Sequence, residues 1–269
     1  MAKRNPLLNI SRMIDDSIGK EVSIETSFMD DLKMCIEKMS VRDGKPSPYY
    51  KPSSLHCIRN MFYQRTEIEV DTPKATSELV GIGESGTDRH LRIQNYITHM
   101  KDYGVDCEYI DVETYIKENN VPDLEVLDKT EFETKLFNTK YNLRFMVDGI
   151  IKYKNVYYIL EIKTESNYKW VNRQGVDSAH FNQAYTYSLS LGLPQVLFIY
   201  ENRDCCSKKC FLLNVSDENR QFIIDRIETC ESYVNNKIVP DVPEDVTAKV
   251  CQYCLYRKRC RSDGNGFKT

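Results

Sequence analysis

Residues 141–164, YNLRFMVDGIIKYKNVYYILEIKT, decide the fold of this chain. They contain two apolar runs, one ending near Tyr153 and the next beginning at Val156, separated by Lys154-Asn155. Asn tolerates the left-handed conformation that a two-residue hairpin turn requires, so the pattern predicts a β-hairpin. Because side chains on a strand alternate between its two faces, the same stretch also predicts which polar residues share a face.

Three charged residues interrupt these apolar runs, namely Asp148, Glu161 and Lys163. Glu161 and Lys163 are expected on one face of their strand, with Ile162 pointing into the opposite layer. Charges in apolar surroundings are costly unless they bind something. The two carboxylates can hold a hard divalent cation, with the backbone carbonyl of Ile162 as a third oxygen ligand. The alternative is an ordinary turn aspartate beside a surface Glu/Lys pair.

A divalent cation at this position would have a specific chemical use. It would polarise a phosphoryl oxygen and lower the pKa of a bound water, which makes a nucleophile at neutral pH. Lys163 would orient that water or neutralise charge developing on the phosphorus. The motif therefore indicates phosphoryl-transfer chemistry, although its spacing alone is a weak signal.

Length and composition set broad limits on the rest. The 269 residues are enough for a sizeable core, and the hydrophobic content of 41% and charged content of 29% are typical of globular proteins. There is no apolar run of transmembrane length and no signal-peptide h-region, so we expect no membrane association and a reducing cytoplasm. With a net charge of −3, any nucleic-acid surface must be a local cluster.

Ten cysteines are many for a reducing compartment, where metal ligation is favoured over disulfides. Three lie in or beside apolar stretches and are predicted to be core residues: Cys35, Cys107 and Cys230. Three more flank a predicted hairpin turn and are interpreted as a loop cluster, with a metal site as the alternative: Cys205, Cys206 and Cys210.

The remaining four cysteines are Cys57 and the C-terminal C-x2-C-x5-C of Cys251, Cys254 and Cys260. Four cysteine thiolates suit an iron–sulfur cluster, and the spacing is equally compatible with tetrahedral zinc. A short tail without metal is the third interpretation.

The predicted element order is helix, strands, helix, strands, helix, which indicates a mixed α/β domain with a central sheet. In the first part of the chain, this prediction rests on helix-like spacing in residues 8–40, a connector at 41–52, a helix capped by Ser53 and Ser54, and a helix from Ser85 to about Met100. After the hairpin come a polar loop at 165–177, a helix from the cap Ser178 to Gly192, strands at 196–201 and 208–215, and a helix capped by Ser216. We divide the chain into an N-terminal helical extension (1–50) and a main domain (51–269), with an acidic insertion at 101–138.

The pattern of Asp148, Glu161 and Lys163 resembles the PD-(D/E)XK nuclease superfamily, with Val147 where that superfamily usually has Pro. Gln183 and Tyr187 lie four apart on one helix face and resemble the Q-x3-Y element of its RecB-like branch. Residues 83–96, GESGTDRHLRIQNY, resemble the first motif of that branch, whose His is a metal ligand.

The resemblance implies a role for each matching residue. His90, Asp148 and Glu161 would bind Mg²⁺ or Mn²⁺, Lys163 would act beside them, and Gln183 with Tyr187 would contact DNA near the scissile phosphate. His90 and Asp148 are 58 residues apart, which fits an insertion at 101–138. The implied fold is a restriction-endonuclease-like core, a central mixed sheet flanked by helices.

One early cysteine followed by three late ones resembles the iron–sulfur members of the same branch, which include the CRISPR-associated exonucleases and AddB-type nuclease domains. That resemblance implies a 4Fe–4S cluster held by Cys57, Cys251, Cys254 and Cys260, clamping the N- and C-terminal parts together, with structural Zn²⁺ as the alternative. It further implies a cytoplasmic protein of a bacterial, archaeal or phage-infected cell, with recombination or CRISPR-adaptation proteins as partners.

The implied function is metal-dependent exonucleolytic cleavage of DNA ends, acting on single strands. Two alternatives stay open: a structure-specific endonuclease with the same site, and a catalytically idle module that binds DNA or a partner. Two basic groups are candidate DNA contacts, the first with Trp170 as a stacking platform; for the C-terminal group, a solvated charged tail is the alternative. They are Lys169, Trp170 and Arg173 after the lysine strand, and Arg257, Lys258 and Arg259 near the C-terminus.

Overall fold

The structure is a computed structural model that describes residues 23–40, 47–71, 76–252 and 254–264. The chain divides into two compact units, Met1–Arg42 with Lys74–Ile82 and Asp43–Pro73 with Gly83–Thr269. The second unit contains every residue proposed above as catalytic or metal-binding. Residues 1–22 and 41–46 of the predicted extension and connector lie outside the described part of the chain.

Helices and strands alternate along the described residues. The α-helices are α1 (Ile24–Met39), α2 (Ile58–Arg65), α3 (Ser77–Thr98), α4 (Val112–Glu118), α5 (Asn167–Asn172), α6 (Phe181–Leu191), α7 (Asp217–Asn236), α8 (Ala248–Gln252) and α9 (Arg257–Ser262). The strands are β1 (Cys107–Ile110), β2 (Leu124–Lys129), β3 (Thr134–Asn138), β4 (Leu143–Val147), β5 (Gly149–Tyr153), β6 (Val156–Glu165), β7 (Gln195–Asn202) and β8 (Lys208–Asn214).

The predicted hairpin is confirmed. Strands β5 and β6 pair in antiparallel fashion, and Tyr153 lies opposite Val156. Lys154 and Asn155 both have positive φ, 49° and 63°, as a two-residue turn between twisted strands requires. The pairing extends back to Gly149 opposite Leu160. The last five residues of β6 therefore pair with β7 but not with β5.

The first apolar run is two strands rather than one. Strand β4 belongs to a three-stranded antiparallel sheet in the order β2-β3-β4, whereas β5 belongs to the five-stranded sheet. Asp148 lies between them, in neither strand. The next residue, Gly149, has φ of +153°, a conformation that L side chains rarely adopt, and this lets the chain change direction there.

The five-stranded sheet, in the order β1-β5-β6-β7-β8, is mixed: β6 and β7 are parallel, and every other pair is antiparallel. One hydrophobic core contains Ile159 of β6 with residues of α2, α6 and α7, and a second contains Leu160 and Ile162 with Ile93 and Ile97 of α3. The predicted mixed α/β architecture, a central mixed sheet flanked by helices, is therefore confirmed.

Three predicted helix starts are wrong. Helix α2 begins at Ile58, after a 3₁₀ turn at Pro52–Ser54, so that Cys57 is its N-cap residue. Helix α3 begins at Ser77 rather than Ser85, and it continues through Gly81, Gly83 and Gly86. Helix α6 begins at Phe181, after a 3₁₀ turn capped by the Asp177 side chain rather than by Ser178. The stop at Gly192, in the left-handed conformation, is confirmed.

The core predictions for cysteines hold in two cases of three. Cys107 and Cys230 are buried, whereas Cys35 is exposed. Cys35 lies on α1, none of whose residues is buried, so its apolar spacing marks an amphipathic helix and not a core contact. The Ser216 cap of α7 is confirmed, and Ile223, Ile227 and Cys230 are the buried residues of that helix.

Residues 101–138 contain β1, α4, β2 and β3. Strand β1 is an edge strand of the five-stranded sheet, where Tyr109 lies opposite Ile151. The polar loop predicted at 165–177 contains the short helix α5. In the described part of the chain, we find no helix that is long and apolar enough to span a membrane.

Candidate metal centre

Asp148 is fixed at both its main chain and its side chain. Its carbonyl oxygen accepts a hydrogen bond from Nε2 of Gln94 at 2.6 Å and lies 2.7 Å from the Tyr109 hydroxyl. Its Oδ2 accepts the backbone N–H of Ile162 at 2.6 Å, which ties the aspartate to the lysine strand. The other oxygen, Oδ1, lies 3.4 Å from Nδ1 of His90. The structure thus brings the predicted His90 and Asp148 together.

Glu161 and Lys163 share one face of β6, as predicted. The Lys163 ammonium contacts Oε1 of Glu161, while Oε2 is buried and has no hydrogen-bond partner. Burial raises the pKa of Glu161 to about 7, and the charge of Asp148 adds to the rise, while Lys163 and His90 oppose it. A buried carboxylate oxygen without a partner is costly, and a bound cation would satisfy it.

Glu133 joins this group, although its sequence context did not single it out. One ligand atom each from His90, Glu133 and Asp148 lies within 4.8 Å of the others. Glu133 ends the turn between β2 and β3, where its N–H bonds the Thr130 hydroxyl and its carbonyl accepts the Thr130 N–H. Burial and then Asp148 raise the pKa of Glu133. A His/Glu/Asp group of this geometry can bind a divalent metal ion.

The protonation of His90 follows the same charges. Burial lowers its pKa, but the hydrogen bond and charge of Asp148 and the charge of Glu161 outweigh that effect and raise it. Lys163 is similar: its burial opposes the charged form, while Glu161 and Asp148 raise its pKa. Three carboxyl groups therefore surround one lysine in this grouping. A divalent cation would compensate the negative charge that the lysine leaves unbalanced. Glu161 and the backbone carbonyl of Ile162 are not part of the His90, Glu133 and Asp148 group, so their role as ligands of the cation stays a prediction.

Gln183 and Tyr187 meet on α6. Nε2 of Gln183 donates to the Tyr187 hydroxyl at 2.5 Å. Tyr187 is buried, and burial, followed by the negative charges of Glu161 and Asp148, raises its pKa. The pair thus lies within electrostatic reach of the acidic group, with Gln183 partly exposed. Their contact with DNA stays a prediction.

Replacing Gly149 with alanine should destabilise the protein by about 2–4 kcal/mol, because it combines backbone strain with overpacking. A Cβ at this position would lie 2.4 Å from the Tyr109 hydroxyl oxygen, in addition to the unfavourable φ. Chemical denaturation measures the loss. Gly175→Ala is the matched control, since a Cβ there meets nothing within 4 Å. Equal stability of the two variants would show that Gly149 is not needed for the turn at Asp148.

The four cysteines of the predicted metal site line one cavity of about 250 Å³. Cys57 comes from the N-cap of α2, and Cys251, Cys254 and Cys260 come from the C-terminal segment. Burial raises the pKa of Cys57 to about 11 and raises that of Cys251 and Cys260. Thiols that are costly to ionise alone become thiolates readily when a metal binds them, and four sulfur donors suit a zinc ion or an iron–sulfur cluster.

The candidate DNA contacts differ in accessibility. Lys169 is exposed, and so are Arg257, Lys258 and Arg259 of α9. By contrast, Arg173 is bound to Glu165 and Asp177, with 10% of its side chain exposed. The Trp170 indole donates to the Tyr200 carbonyl at 3.2 Å, and Nζ of Lys209 lies 4.4 Å from the centre of its ring. Arg259 is paired with Asp263 at 2.9 Å, so Lys169, Arg257 and Lys258 are the more available of these contacts.

No protein-family model matches this chain, and no curated protein matches it. Among solved structures, SSO0001 is 14% identical with a TM-score of 0.45, covering 90% of this chain and 98% of its own. An alkaline exonuclease (LHK-Exo) from Laribacter hongkongensis is 11% identical with a TM-score of 0.43, covering 71% and 89%; LHK-Exo in complex with dAMP is 13% identical with a TM-score of 0.39, covering 80% and 95%.

Proposed function

We propose that the protein is a divalent-metal-dependent deoxyribonuclease of the PD-(D/E)XK type, which hydrolyses phosphodiester bonds at DNA ends. The observation that supports this most is the grouping of Asp148, between β4 and β5, with Glu161 and Lys163 on β6 and His90 on α3. An orphaned buried oxygen of Glu161 in that grouping is consistent with a cation site. The proposal rests on this geometry together with the motif resemblance.

His90, Glu133, Asp148 and Glu161 would hold Mg²⁺ or Mn²⁺, with the Ile162 carbonyl as a further oxygen donor. The bound cation supplies Lewis-acid activation of the phosphate and a water of lowered pKa. Lys163 keeps its proton at neutral pH and donates toward the non-bridging phosphate oxygen or the attacking water.

Residues around the acidic group hold it in place. The Ile162 N–H orients Asp148, while Gln94 and Tyr109 hold the Asp148 main chain. Gln183 donates to the hydroxyl of the buried Tyr187, which lies near enough to Glu161 and Asp148 for their charges to raise its pKa after burial does. Because the carboxylates are buried and pre-positioned, little reorganisation is needed when substrate binds.

The decisive test is DNA degradation by the purified protein with Mg²⁺, with Mn²⁺, and with EDTA. End-labelled linear single strands, linear duplexes and covalently closed circles are compared. We expect cation-dependent shortening of the linear single strands and intact circles. Cutting of closed circles would favour the structure-specific endonuclease instead. Binding without any hydrolysis in either cation would favour the catalytically idle module and overturn the proposal.

We propose in addition that Cys57, Cys251, Cys254 and Cys260 hold a 4Fe–4S cluster, with structural Zn²⁺ as the alternative. The supporting observation is that all four line the same cavity although they come from the two ends of the domain. Iron, sulfide and zinc analysis of the purified protein, with its visible absorption, distinguishes the two. A colourless zinc protein would replace the cluster by zinc and leave the nuclease proposal intact.

Cys254→Ala should make the protein insoluble or protease-sensitive rather than merely inactive. A metal that ties Cys57 to Cys251 closes a loop of almost 200 residues, and the chain-entropy estimate for such a crosslink is about 5 kcal/mol. Limited proteolysis and thermal unfolding measure the effect. The matched control is exposed Cys205→Ala, in the turn after β7, which should behave as the unaltered protein does. A soluble, cooperatively folded but inactive Cys254→Ala protein would contradict the structural role.

A further inference from the structure

The cysteine cavity contains a buried positive charge next to its sulfur atoms. The Arg59 side chain lines the cavity, and the residue is only 2% exposed. Its guanidinium donates to neutral oxygens: the Tyr63 hydroxyl at 2.9 Å and the carbonyls of Asp263 and Gly264 at 3.3–3.4 Å. A buried charge is costly unless an opposite charge compensates it. The Asp263 carboxylate accepts the Tyr63 hydroxyl at 2.9 Å and is one counter-charge near the guanidinium; thiolates lining the cavity would be a second.

Asn60, the next residue, contacts sulfur directly. Its side-chain Nδ2 donates to Sγ of Cys254 at 3.4 Å, joining the first turn of α2 to the C-terminal segment. Cys254 Sγ also accepts the backbone N–H of Tyr256 at 3.5 Å. The sulfur of Cys254 thus accepts from one donor on α2 and from one in its own segment.

The position of the two residues in the chain adds to this contact. Cys57 is the N-cap residue of α2, so Arg59 and Asn60, in the first turn of that helix, follow directly on one of the four cysteines, while the Asn60 side chain contacts another.

We propose that Arg59 and Asn60 are the positioning residues of an anionic, all-thiolate metal centre in this cavity. Four thiolates around Zn²⁺, or around a 4Fe–4S core, carry a net negative charge, which Arg59 compensates inside the protein. Asn60 holds Cys254 Sγ in the orientation in which it faces the metal. This inference rests on the proposed cysteine centre and is independent of the nuclease site.

The test compares charge and shape at position 60. Asn60→Asp keeps the size of the side chain but places a carboxylate against the thiolates, whereas Asn60→Leu only removes the hydrogen bond. Each variant is purified with the metal that it has bound during expression. Iron and zinc are then counted per chain, and the rate of metal loss to excess chelator is followed. We expect roughly 10-fold faster loss for Asn60→Leu and 100-fold or more for Asn60→Asp, as for other residues that support metal ligands.

Arg59 is tested by rescue. Arg59→Met should lose metal faster than Asn60→Leu, and Arg59→Lys should recover part of the retention because it keeps the charge. Asn236→Leu, at the exposed end of α7, is the matched control and should retain metal as the unaltered protein does. If Arg59→Met does not fold, the lysine variant and the two Asn60 variants still decide the question, since circular dichroism reports their folding separately.

Two results would overturn the inference. One is an Asn60→Asp protein that retains metal as well as the unaltered protein, because a purely steric role predicts that outcome. The other is unaltered protein that contains neither iron nor zinc. Cleavage of linear DNA with Mn²⁺ is measured in parallel. The nuclease proposal is judged by that cleavage alone, whatever the metal analysis of the cysteine cavity shows.

Discussion

Asp148→Asn is expected to lower the rate of DNA hydrolysis by at least about 10³-fold, even with Mn²⁺ in excess. A metal ion contributes several kcal/mol of transition-state stabilisation, and each 1.36 kcal/mol is a factor of ten in rate. Asparagine keeps a group that can accept the Ile162 N–H, so the strand pairing around it should survive. It removes the charge that faces His90 and Glu133.

The measurement is single-turnover cleavage of an end-labelled strand, with folding checked by thermal unfolding. Asp128→Asn is the control, because Asp128 is an exposed aspartate on β2, outside the acidic group. It should cleave at the unaltered rate. Normal hydrolysis by the Asp148→Asn protein would mean that the reaction is performed elsewhere in the chain.

The metal-free protein should lose stability as the pH rises from about 4.5 to 7.5, and Glu161→Gln should remove most of that loss. The folded-state pKa of Glu161, about 7, lies above its unfolded value of 4.5. In that window the folded state holds a proton that the unfolded state has released, so the free energy of unfolding falls with rising pH. The shift corresponds to about 3 kcal/mol.

Denaturation at a series of pH values, in EDTA, gives the slope directly. The slope, rather than the stability at one pH, is the test, because Glu161→Gln also deprives Lys163 of its partner. His90, whose pKa is raised too, contributes in the same direction and leaves a smaller residual slope. Exposed Glu228→Gln on α7 should leave the slope unchanged. A flat profile for the unaltered protein would show that Glu161 ionises normally when no metal is bound.

The hairpin, the faces of β6 and the pairing of His90 with Asp148 could be predicted because local patterns determine them. Alternation fixed the faces of Glu161 and Lys163, and the Lys154-Asn155 turn fixed the register. The motif supplied His90, which reaches Asp148 across almost sixty residues of sequence.

Glu133 could not be predicted, because nothing local distinguishes it from the acidic residues around it. It reaches the site only because the β2-β3 hairpin pairs with β4, which leads into Asp148. The division of the first apolar run has the same origin: two strands of different sheets have the same composition as one long strand. The core prediction for Cys35 is wrong for a related reason, since apolar helical spacing does not reveal what the helix packs against.

The position of Asp148 between two sheets has a consequence for how a cation and the fold influence each other. Glu133 directly precedes β3 of the three-stranded sheet, and Glu161 lies in β6 of the five-stranded sheet. Asp148 lies between β4 and β5, where the chain passes from one sheet to the other. A cation coordinated by these residues would cross-link the two sheets. By reciprocity of linked equilibria, whatever loosens the small sheet must weaken cation affinity, and cation binding must slow amide exchange in β2 and β3.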